Sequence, residues 1–379
     1  MRNEDHSRPL SAERLDATPV RESSVALLGL QDDDVSSGSL ELVPMTAIIP
    51  TKGRSKDLRQ TVQTMLAGIA LPSELIIVDQ SPDLLSYDAV HEEFDRARRR
   101  QSLLPHLKYV HNPSIRGLSA ARNAGMALAH EAIWLFLDDD VIAEPNFVKE
   151  LMRAYSDPVP VDGVSGIATN YRFPPIAYRA WIRIFARGPF ADPRQPIYWN
   201  AAVLNGTEKI EVPILTGALM SFRADAIRNL RFDERAGDCQ CEDADYCLLL
   251  GKSVRLVIAP RARLQHLISP KAREAAHPIR RPAISQAFLF RKHFDARRVD
   301  RVRFYWFCAG LAFMAGMAGL RRFSIEPWRT FVSALREGLS AGRASASAAN
   351  GAAHGVMGSA SERPGDESAS AGGMNGRTA

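Results

Sequence analysis

The chain has 379 residues, enough for one large domain or two smaller ones, and its composition is that of an ordinary globular protein, with 46% hydrophobic and 24% charged residues. The formal net charge of +5 suits an anionic ligand or an anionic membrane surface. The sequence has neither zinc-finger spacing nor an aromatic-rich nucleic-acid module, so we expect no nucleic-acid partner.

Both ends of the chain differ in composition from its middle. Residues 1–43 are polar around one short apolar patch, which is too short and wrongly flanked for a secretory signal, and we predict a disordered N-terminal segment there. Residues 340–379 are rich in Ala, Ser and Gly and predict a disordered tail. Between them we predict one large folded domain at 44–270 and a helical, membrane-associated extension at 271–339.

The first half of the folded part alternates predicted strands with predicted helices. Short apolar runs indicate buried strands, and apolar residues at helical spacing indicate helices. In chain order these elements are strand 46–49, helix 58–69, strand 75–78, strand 107–110, helix 118–130 and strand 133–137. The order predicts an α/β fold with a central, mostly parallel sheet flanked by helices.

The second half is less regular. Apolar runs predict strands at Val212–Leu215 and Ala218–Phe222, on either side of Thr216 and Gly217. A short helix is predicted at Ala244–Gly251, and a further buried strand at Val254–Ala259.

Acidic residues follow two of the buried strands. Asp79 ends one strand and the triplet Asp138 to Asp140 directly follows another, while Pro50 and Thr51 end the first. In such sheets the ligand lies outside the carboxyl ends of the strands. We therefore expect these residues to meet at one ligand-binding edge.

The acidic triplet predicts a divalent metal site. Alternate side chains of an extended chain share a face, so Asp138 and Asp140 should point together while Asp139 points away. Oxygen ligands suit Mg²⁺ or Mn²⁺, and such an ion could hold a departing diphosphate. The alternative is a solvated acidic turn or the N-terminus of a helix.

Asp79 and the basic residues near this edge are candidates for binding a nucleotide. Asp79 could accept hydrogen bonds from a ribose hydroxyl or a base, or it could simply form the turn before Ser81. Arg54 and Arg122 could bind phosphate oxygens, since guanidinium groups do so in a bidentate manner. Of the two, Arg122 is favoured, and the alternative for each is an ordinary surface charge.

A second acidic group precedes the helix predicted at 244–251. A carboxylate of Glu242, Asp243 or Asp245 could take the proton from an acceptor hydroxyl, or these residues could stabilise the first turn of the helix. His266 follows the last predicted strand, where a neutral imidazole could bind a metal ion, although a single His is more often structural.

Taken together, these segments resemble glycosyltransferase family 2, the inverting class with a GT-A fold. The resemblance covers roughly residues 44–270 and depends on the order and spacing of six motifs. The matching motifs are Ile48 to Arg54, Leu75 to Asp79, Asn112 to Asn123, Leu135 to Asp140, Leu215 to Ala218, and Glu242 to Asp245.

The resemblance implies a GT-A-type nucleotide-sugar-binding fold with a C-terminal helical extension, and it implies residue roles. Asp243 would be the catalytic base, and Asp138, Asp140 and His266 would bind Mg²⁺ or Mn²⁺. The implied nucleotide-sugar contacts are Pro50, Thr51, Arg54, Asp79, Arg122, Asp138, Asp139, Gly217 and Glu242. The donor would be a nucleoside diphosphate sugar, most often UDP-linked, and the acceptor a glycan or a lipid-linked glycan in cell-surface polysaccharide synthesis.

Processive members of the family carry a Gln-x-x-Arg-Trp motif that this sequence lacks, which favours the addition of one or a few sugars. Two alternatives stay open. A nucleotidyltransferase of related fold would need a Gly-rich, basic loop early in the chain, which Lys52 to Arg54 suggests only faintly. A catalytically silent nucleotide-sugar-binding module would be expected to have lost Asp243 or the Asp138/Asp140 pair.

Two segments point to a membrane surface. Phe304–Leu320 is an almost uninterrupted apolar run of about 17 residues, against the ~20 that usually span a bilayer, and it has arginines on both sides. Ile176–Arg187 combines three arginines with aromatic side chains, as interfacial helices do, or it is a core helix whose arginines reach solvent. We expect a cytoplasmic protein at the inner face of the cell membrane.

Overall fold

The computed structural model describes residues 40–358 except 157, 172, 252 and 268–276. Within these residues nine strands form one sheet. They are β1 (Glu41–Thr51), β2 (Ala70–Asp79), β3 (His106–His111), β4 (Ile133–Leu137), β5 (Val141–Ala143), β6 (Gly163–Ala168), β7 (Ile210–Glu211), β8 (Leu219–Arg223) and β9 (Leu256–His266).

The α-helices of the described residues surround this sheet and continue beyond it. They are α1 (Ser55–Leu66), α2 (Leu85–Arg98), α3 (Leu118–Met126), α4 (Phe147–Tyr155), α5 (Ile176–Phe185), α6 (Gln195–Tyr198), α7 (Ala201–Leu204), α8 (Ala224–Ile227), α9 (Glu242–Leu250), α10 (Arg280–Leu289), α11 (Arg298–Arg322) and α12 (Glu326–Gly358). Short 3₁₀ turns occur at Gly188–Phe190 and Glu234–Cys239, and a π-helical turn at Phe290–Phe294 follows α10.

The strand order is β3-β2-β1-β4-β8-β6-β9-β5, with β7 paired to β9. The four strands β3, β2, β1 and β4 are parallel, as is the β6–β9 pair. The predicted α/β fold, with a central sheet and flanking helices, is confirmed. The sheet is mixed, however, because β8 is antiparallel to both neighbours, and β5 and β7 are antiparallel to β9.

The core lies on both faces of the sheet because successive strand residues point to opposite sides. On β1, Ile49 packs in a cluster with the apolar faces of α1, α2 and α4, including Leu58 and Leu151. Its neighbour Ile48 packs in a second cluster with Phe136 and Tyr246. Both isoleucines are fully buried, which fixes the register of the strand that ends at Thr51.

The strand predicted at 133–137 has those bounds in the structure, and the other first-half elements are present with shifted ends. The prediction of a strand at Val212–Leu215 was wrong, since the strand there is Ile210–Glu211 and the chain then turns. Pro213 lacks the N–H that a ladder position needs. β9 continues seven residues past the predicted end at Ala259, so His266 is the last residue of a strand.

Helices α10, α11 and α12 form a C-terminal bundle around a third apolar cluster that includes Phe288, Leu311 and Phe331. The disordered tail predicted from residue 340 was wrong for 340–358, where α12 continues. Alanine has the highest helix propensity of all residues, so an Ala-rich stretch extends a helix that packing has already started. The ordered chain also begins before residue 44, at the start of β1, and the remainder of both predicted disordered segments lies outside the described residues.

Among the described residues, α11 is the one helix long and apolar enough to cross a membrane by length and composition. One third of its most apolar window is buried against the rest of the protein. The inner residues Phe304, Phe307 and Leu311 are almost fully buried.

Candidate active site

The predicted site residues converge at one edge of the sheet. β1 and β2 are in register, so that Thr51 lies beside Asp79 at their carboxyl ends. β4 lies on the other side of β1, and its end delivers the triplet Asp138 to Asp140 to the same edge. The short strand β5 then pairs with the end of β9, which places His266 opposite Val141.

Asp138, Asp140 and His266 form a compact group. The His266 Nε2 atom lies 3.0 Å from Asp140 Oδ1 and 3.7 Å from Asp138 Oδ2. One ligand atom from each residue can be chosen so that all three lie within 4.8 Å of one another. The predicted common face of Asp138 and Asp140 is therefore present, and His266 joins it.

This group fits a divalent metal ion. Two carboxylates and one imidazole are ligands that such ions accept, and Asp140 is buried while the other two are half-buried. Burial lowers the pKa of His266, but the hydrogen bond to Asp140 and the charge of Asp138 outweigh burial and raise it overall. A nearby cation would relieve the repulsion between the two carboxylates and favour the neutral imidazole.

Asp139 points away from this group, as predicted. Its Oδ2 accepts a hydrogen bond of 2.7 Å from the Thr51 hydroxyl, and its Oδ1 lies 3.0 Å from Arg54 Nη1. Burial raises the pKa of Asp139 to about 7 against the opposing effects of Arg54 and Thr51. The same Arg54 nitrogen lies 3.1 Å from Asp140 Oδ2, so Arg54 ties the triplet to the end of β1.

Asp79 is fully buried, and each of its carboxylate oxygens already accepts a hydrogen bond. Oδ1 accepts from the Ser81 backbone N–H at 2.8 Å, and Oδ2 accepts from the Tyr109 hydroxyl at 2.7 Å. These contacts shape the turn after β2, which is the alternative that the sequence left open. The predicted contact of Asp79 with a nucleotide stays a prediction.

Arg122 lies beneath the site, with a fully buried side chain. Its Nη2 donates to the Gly217 carbonyl at 2.8 Å and lies 3.2 Å from Asp138 Oδ1. Its Nη1 donates to Glu242 Oε1 at 3.2 Å, and its guanidinium carbon lies 5.4 Å from the centroid of the Phe232 ring. Arg122 therefore bridges two acidic groups, and its predicted contact with a diphosphate stays a prediction.

Glu242 and Asp243 start helix α9 and lie against the turn at Gly217. Asp243 Oδ2 accepts from the Gly217 N–H at 3.2 Å, and Oδ1 accepts from the Ala244 N–H at 2.7 Å. A Cβ atom added at Gly217 would lie 3.1 Å from Asp243 Cβ, so a larger residue there would require its neighbours to shift by a few tenths of an ångström. Burial and the charge of Asp243 raise the pKa of Glu242 despite the opposing charge of Arg122.

Sequence reasoning missed Arg194, which binds Asp243 directly. Its Nη1 lies 2.5 Å from Asp243 Oδ2, and its Nη1 also donates to the Leu215 carbonyl at 2.8 Å. Burial opposes ionisation of Asp243, but Arg194 more than compensates, and the pKa of Asp243 is lowered. Arg194 lies in an irregular turn with no periodic pattern, so the nearby Asp192 was its one signal in the sequence. Arg194 Nε donates to Asp192 Oδ1 at 2.9 Å, and Arg194 Nη2 donates to Asp192 Oδ2 at 3.0 Å.

Next to these groups, a cleft of about 530 Å³ opens beside the start of α3. It is lined by Ser114, Ile115, Arg116, Ala120, Asn123, Ala124 and Glu234. The Asn123 side chain donates hydrogen bonds to the Phe232 carbonyl and to Glu234, both at 2.9 Å, and so fixes Glu234 at the edge of the cleft.

Comparison with protein families shows that residues 46–231 match the glycosyl transferase family 2 model. Among curated proteins, the chain is 29% identical over 138 residues to validoxylamine A glucosyltransferase of Streptomyces hygroscopicus subsp. limoneus, covering 35% of this chain and 29% of that protein. It is 26% identical over 224 residues to glucosyl-dolichyl phosphate glucuronosyltransferase of Haloferax volcanii, covering 56% and 65%. The chain thus spans less than two thirds of the length of each relative.

Solved structures that resemble the chain include a mannosyltransferase from Pyrobaculum calidifontis in complex with GDP-Man and Mn²⁺. That match has a TM-score of 0.46 at 18% identity and covers 84% of this chain and 79% of the other. S. aureus TarS in complex with UDP-GlcNAc matches with a TM-score of 0.45 at 15% identity, covering 78% and 81%.

Proposed function

Because residues 46–231 belong to glycosyltransferase family 2, we propose that this chain is an inverting glycosyltransferase. It would move a sugar from a nucleoside diphosphate sugar, most simply a UDP-sugar, to an acceptor hydroxyl. The names of the curated relatives, a glucosyltransferase and a glucuronosyltransferase, support sugar transfer as the reaction class.

One observation carries the proposal: a single buried guanidinium joins a metal-type group to a carboxylate pair. Arg122 contacts Asp138 of the first group and Glu242 of the second, each at 3.2 Å. A reaction that expels a diphosphate and deprotonates an alcohol needs positive charge at one end and a base at the other. The first group would hold a divalent cation that supplies the positive charge, and the second group supplies a carboxylate base, both within one fixed frame.

In the proposed reaction Asp243 accepts the proton of the acceptor hydroxyl. The hydroxyl oxygen forms a bond to the anomeric carbon while the bond from that carbon to the diphosphate oxygen breaks, so the configuration inverts. Arg194, the Gly217 N–H and the Ala244 N–H hold the carboxylate of Asp243 ionised and in place. Correct placement of a base relative to its proton is a large part of its effect.

Asp138, Asp140 and His266 would hold Mg²⁺ or Mn²⁺. When bound, such an ion supplies the positive charge that stabilises a departing diphosphate. Arg54 and Thr51 orient the triplet from its other side through Asp139.

The proposed acceptor is a glycan or lipid-linked glycan, in cell-surface polysaccharide or lipid-linked glycan synthesis. The name of the Haloferax relative contains a dolichyl phosphate lipid, which supports a lipid-linked acceptor. We accordingly propose a cytoplasmic location at the inner face of the membrane, with the membrane surface as a further partner.

The test is release of nucleoside diphosphate from a panel of UDP- and GDP-sugars, with Mn²⁺, with Mg²⁺ and with EDTA. Wild type is run beside Asp243→Asn and Asp140→Ala. Asp95→Asn is the matched control, because Asp95 is an exposed carboxylate on α2 whose one ion pair among the described residues is with Arg98. We expect turnover of one donor, its loss in EDTA and in both site variants, and no effect of the control.

Two results would overturn the proposal. Release of pyrophosphate from a nucleoside triphosphate, without turnover of any nucleotide sugar, would establish the nucleotidyltransferase alternative. Donor binding that is equal in wild type and Asp243→Asn, with no turnover on any glycan acceptor or in water, would establish the silent binding module.

A further inference from the structure

Helix α11 carries apolar side chains on its outer face as well as on its inner face. On the outer face, large apolar residues recur at helical spacing along the sequence, and their side chains are exposed. They are Val302 (68% exposed), Tyr305 (66%), Trp306 (48%), Phe313 (61%), Met317 (40%) and Leu320 (69%). At 1.5 Å per residue this stripe is about 27 Å long. A helix that is apolar all round is normally covered on all sides, but no residue in the described part of the chain covers the outer stripe.

Helix α5 extends this stripe sideways. The Trp306 indole N–H donates to the Ile184 carbonyl at 2.9 Å, and the Trp181 N–H donates to the Gly310 carbonyl at 3.0 Å. These bonds fix the two helices side by side, with Ile184 half exposed beside Trp306. The exposed apolar surface therefore spans two helices rather than one.

The turn after α11 adds an aromatic tip to the same surface. Phe323 is 95% exposed and has a φ of 46°, a left-handed conformation that a bulky residue adopts rarely. Ile325 and Trp328 follow it and are also exposed. A strained, exposed aromatic residue suggests a function that outweighs its cost in the folded state.

Arginines far outnumber acidic residues on this surface, where Glu326 in the tip is the single acid within residues 176–187 and 301–328. Residues 176–187 and 301–325 contain seven arginines and not one Asp or Glu. Five of them make no ion pair within the described part of the chain, namely Arg179, Arg183, Arg187, Arg321 and Arg322. Buried Asp300, just before this stretch, pairs with Arg303.

We propose that the outer faces of α5 and α11, with the tip at Phe323–Trp328, form one surface that docks on an anionic lipid bilayer. Aromatic and aliphatic side chains would enter the headgroup layer while the arginines bind lipid phosphates. This inference deepens the membrane location proposed above by naming the surface, and it does not depend on which sugar is transferred.

The packing of α11 favours a helix that lies on the bilayer over one that spans it. Phe304, Phe307 and Leu311 are almost fully buried in the bundle, and Gly310 lies so close to Phe185 that an added Cβ would be 2.4 Å from its ring. Spanning the bilayer would expose all of these contacts. Arginines at both ends of the stripe also suit a helix parallel to the surface.

The docking surface is connected to the proposed base. The π-helical turn after α10 places Lys292 2.8 Å from Asp245 Oδ2 and His293 2.7 Å from Asp245 Oδ1. Asp245 lies on α9, two residues after Asp243. The bundle that carries the surface is therefore bonded to the helix that carries the base, so docking would hold the site at a fixed orientation to a lipid-linked acceptor.

The experiment is co-sedimentation of the full chain with vesicles of phosphatidylcholine, with and without phosphatidylglycerol. The stripe variant is Phe313→Gln with Leu320→Gln, and the charge variant is Arg321→Gln with Arg322→Gln. The matched control is Leu84→Gln with Leu85→Gln, because these leucines are 52% and 61% exposed on the distant helix α2 and the loop before it. Thermal unfolding and nucleoside diphosphate release are measured on every variant.

We expect binding to the anionic vesicles that weakens at least about tenfold in the stripe variant, since burying one such side chain contributes about that factor. The charge variant should show a weaker preference for phosphatidylglycerol, and added salt should weaken the binding of wild type to anionic vesicles. The control should bind like wild type, and all variants should keep their donor turnover. If wild type turns over no donor at all, that result would contradict the proposed reaction and would leave the docking surface to be judged by vesicle binding.

Equal vesicle binding by the stripe variant and wild type would overturn the proposal. So would the absence of vesicle binding together with a wild-type dimer in sedimentation velocity that becomes a monomer in the stripe variant. In that case a second copy of the chain covers the surface.

Discussion

Arg194 Nη1 lies 2.5 Å from Oδ2 of Asp243, a contact between residues 49 positions apart in the chain. Both side chains are mostly buried, at 17% and 16% exposure. A nearby guanidinium favours the ionised carboxylate and lowers its pKa, which opposes the effect of burial. The proposed base is thus kept ready to accept a proton by a residue that need not touch the substrate.

Replacing Arg194 by Met should raise the pKa of Asp243, because burial would then act without its main opposing charge. Activity needs the ionised carboxylate, so the acid limb of the pH profile of kcat/KM should move to higher pH by at least about one unit. Nucleoside diphosphate release from pH 5 to 9 at saturating Mn²⁺ measures this shift. Arg194→Lys, which keeps the charge, should restore most of the wild-type profile. A uniform fall in rate at every pH would show that Arg194 serves only the fold.

Replacing His266 by Ala should weaken the affinity of the site for Mn²⁺ without unfolding the chain. His266 contributes one of three ligand atoms, so the Mn²⁺ concentration for half-maximal turnover should rise by about 10- to 100-fold. Titration of Mn²⁺ into the EDTA-treated, dialysed protein gives this value, and calorimetric titration gives it without turnover. His111→Ala is a suitable control, because His111 contacts the Ser81 carbonyl outside the metal-type group. Identical titrations for His266→Ala and wild type would remove His266 from the ligand set.

Replacing Gly217 by Ala should displace the proposed base. The new Cβ would lie 3.1 Å from Asp243 Cβ and 3.4 Å from Glu242 Oε1, so the start of α9 must shift by a few tenths of an ångström. We expect kcat to fall by about 10- to 100-fold with KM for the donor little changed, since small misplacements of a catalytic group are costly. Gly316→Ala is the control, because its nearest contact would be an ordinary 3.8 Å to Trp328. Wild-type kcat in Gly217→Ala would mean that α9 tolerates the shift.

Much of the first-half fold was readable from the sequence because short apolar runs mark the centres of β1 and β2 and the whole of β4. The helix α2, which lies in a charged stretch, was not predicted. Periodicity reports burial, and Ile133 to Leu137 is buried along its whole length. The edge at which Asp79 and Asp138 meet follows from the parallel order alone. The second half was less predictable, because antiparallel strands such as β8 need no crossover helix and leave a weaker pattern.

Contacts between distant residues account for what the sequence left out. Asp140 and His266 are 126 positions apart, and only the antiparallel pairing of β5 with β9 brings them together. Arg122 was predicted to bind phosphate because the sequence of α3 alone does not indicate that distant residues bury this side chain. Its burial depends on Glu242 and Gly217, which arrive about a hundred residues later.

A buried ion pair between α9 and the C-terminal bundle gives the last prediction. Lys292 Nζ lies 2.8 Å from Asp245 and 2.7 Å from Asp233, and the side chains of Lys292 and Asp245 are 6% and 1% exposed. Lys292→Met would leave a buried carboxylate without its cation, so the free energy of unfolding should fall by about 3 kcal/mol. Urea denaturation measures this change. Arg98→Met is the control, because the Arg98–Asp95 pair is exposed and should contribute about 0.5 kcal/mol or less.

The second carboxylate partner of Lys292, Asp233, gives this prediction a pH dependence. Burial raises the pKa of Asp233, but the hydrogen bond and charge of Lys292, with hydrogen bonds from Ser345 and the Arg235 N–H, together lower it. A lowered native pKa contributes stability above the ordinary pKa of an aspartate, and this contribution is lost as the pH falls through the native value. Wild type should therefore lose its advantage over Lys292→Met as the pH drops below about 4. A stability difference that stays constant from pH 7 to pH 3 would contradict an ion pair and assign the effect of Lys292 to the packing of its side chain on Phe288, whose ring centroid lies 5.3 Å from Nζ.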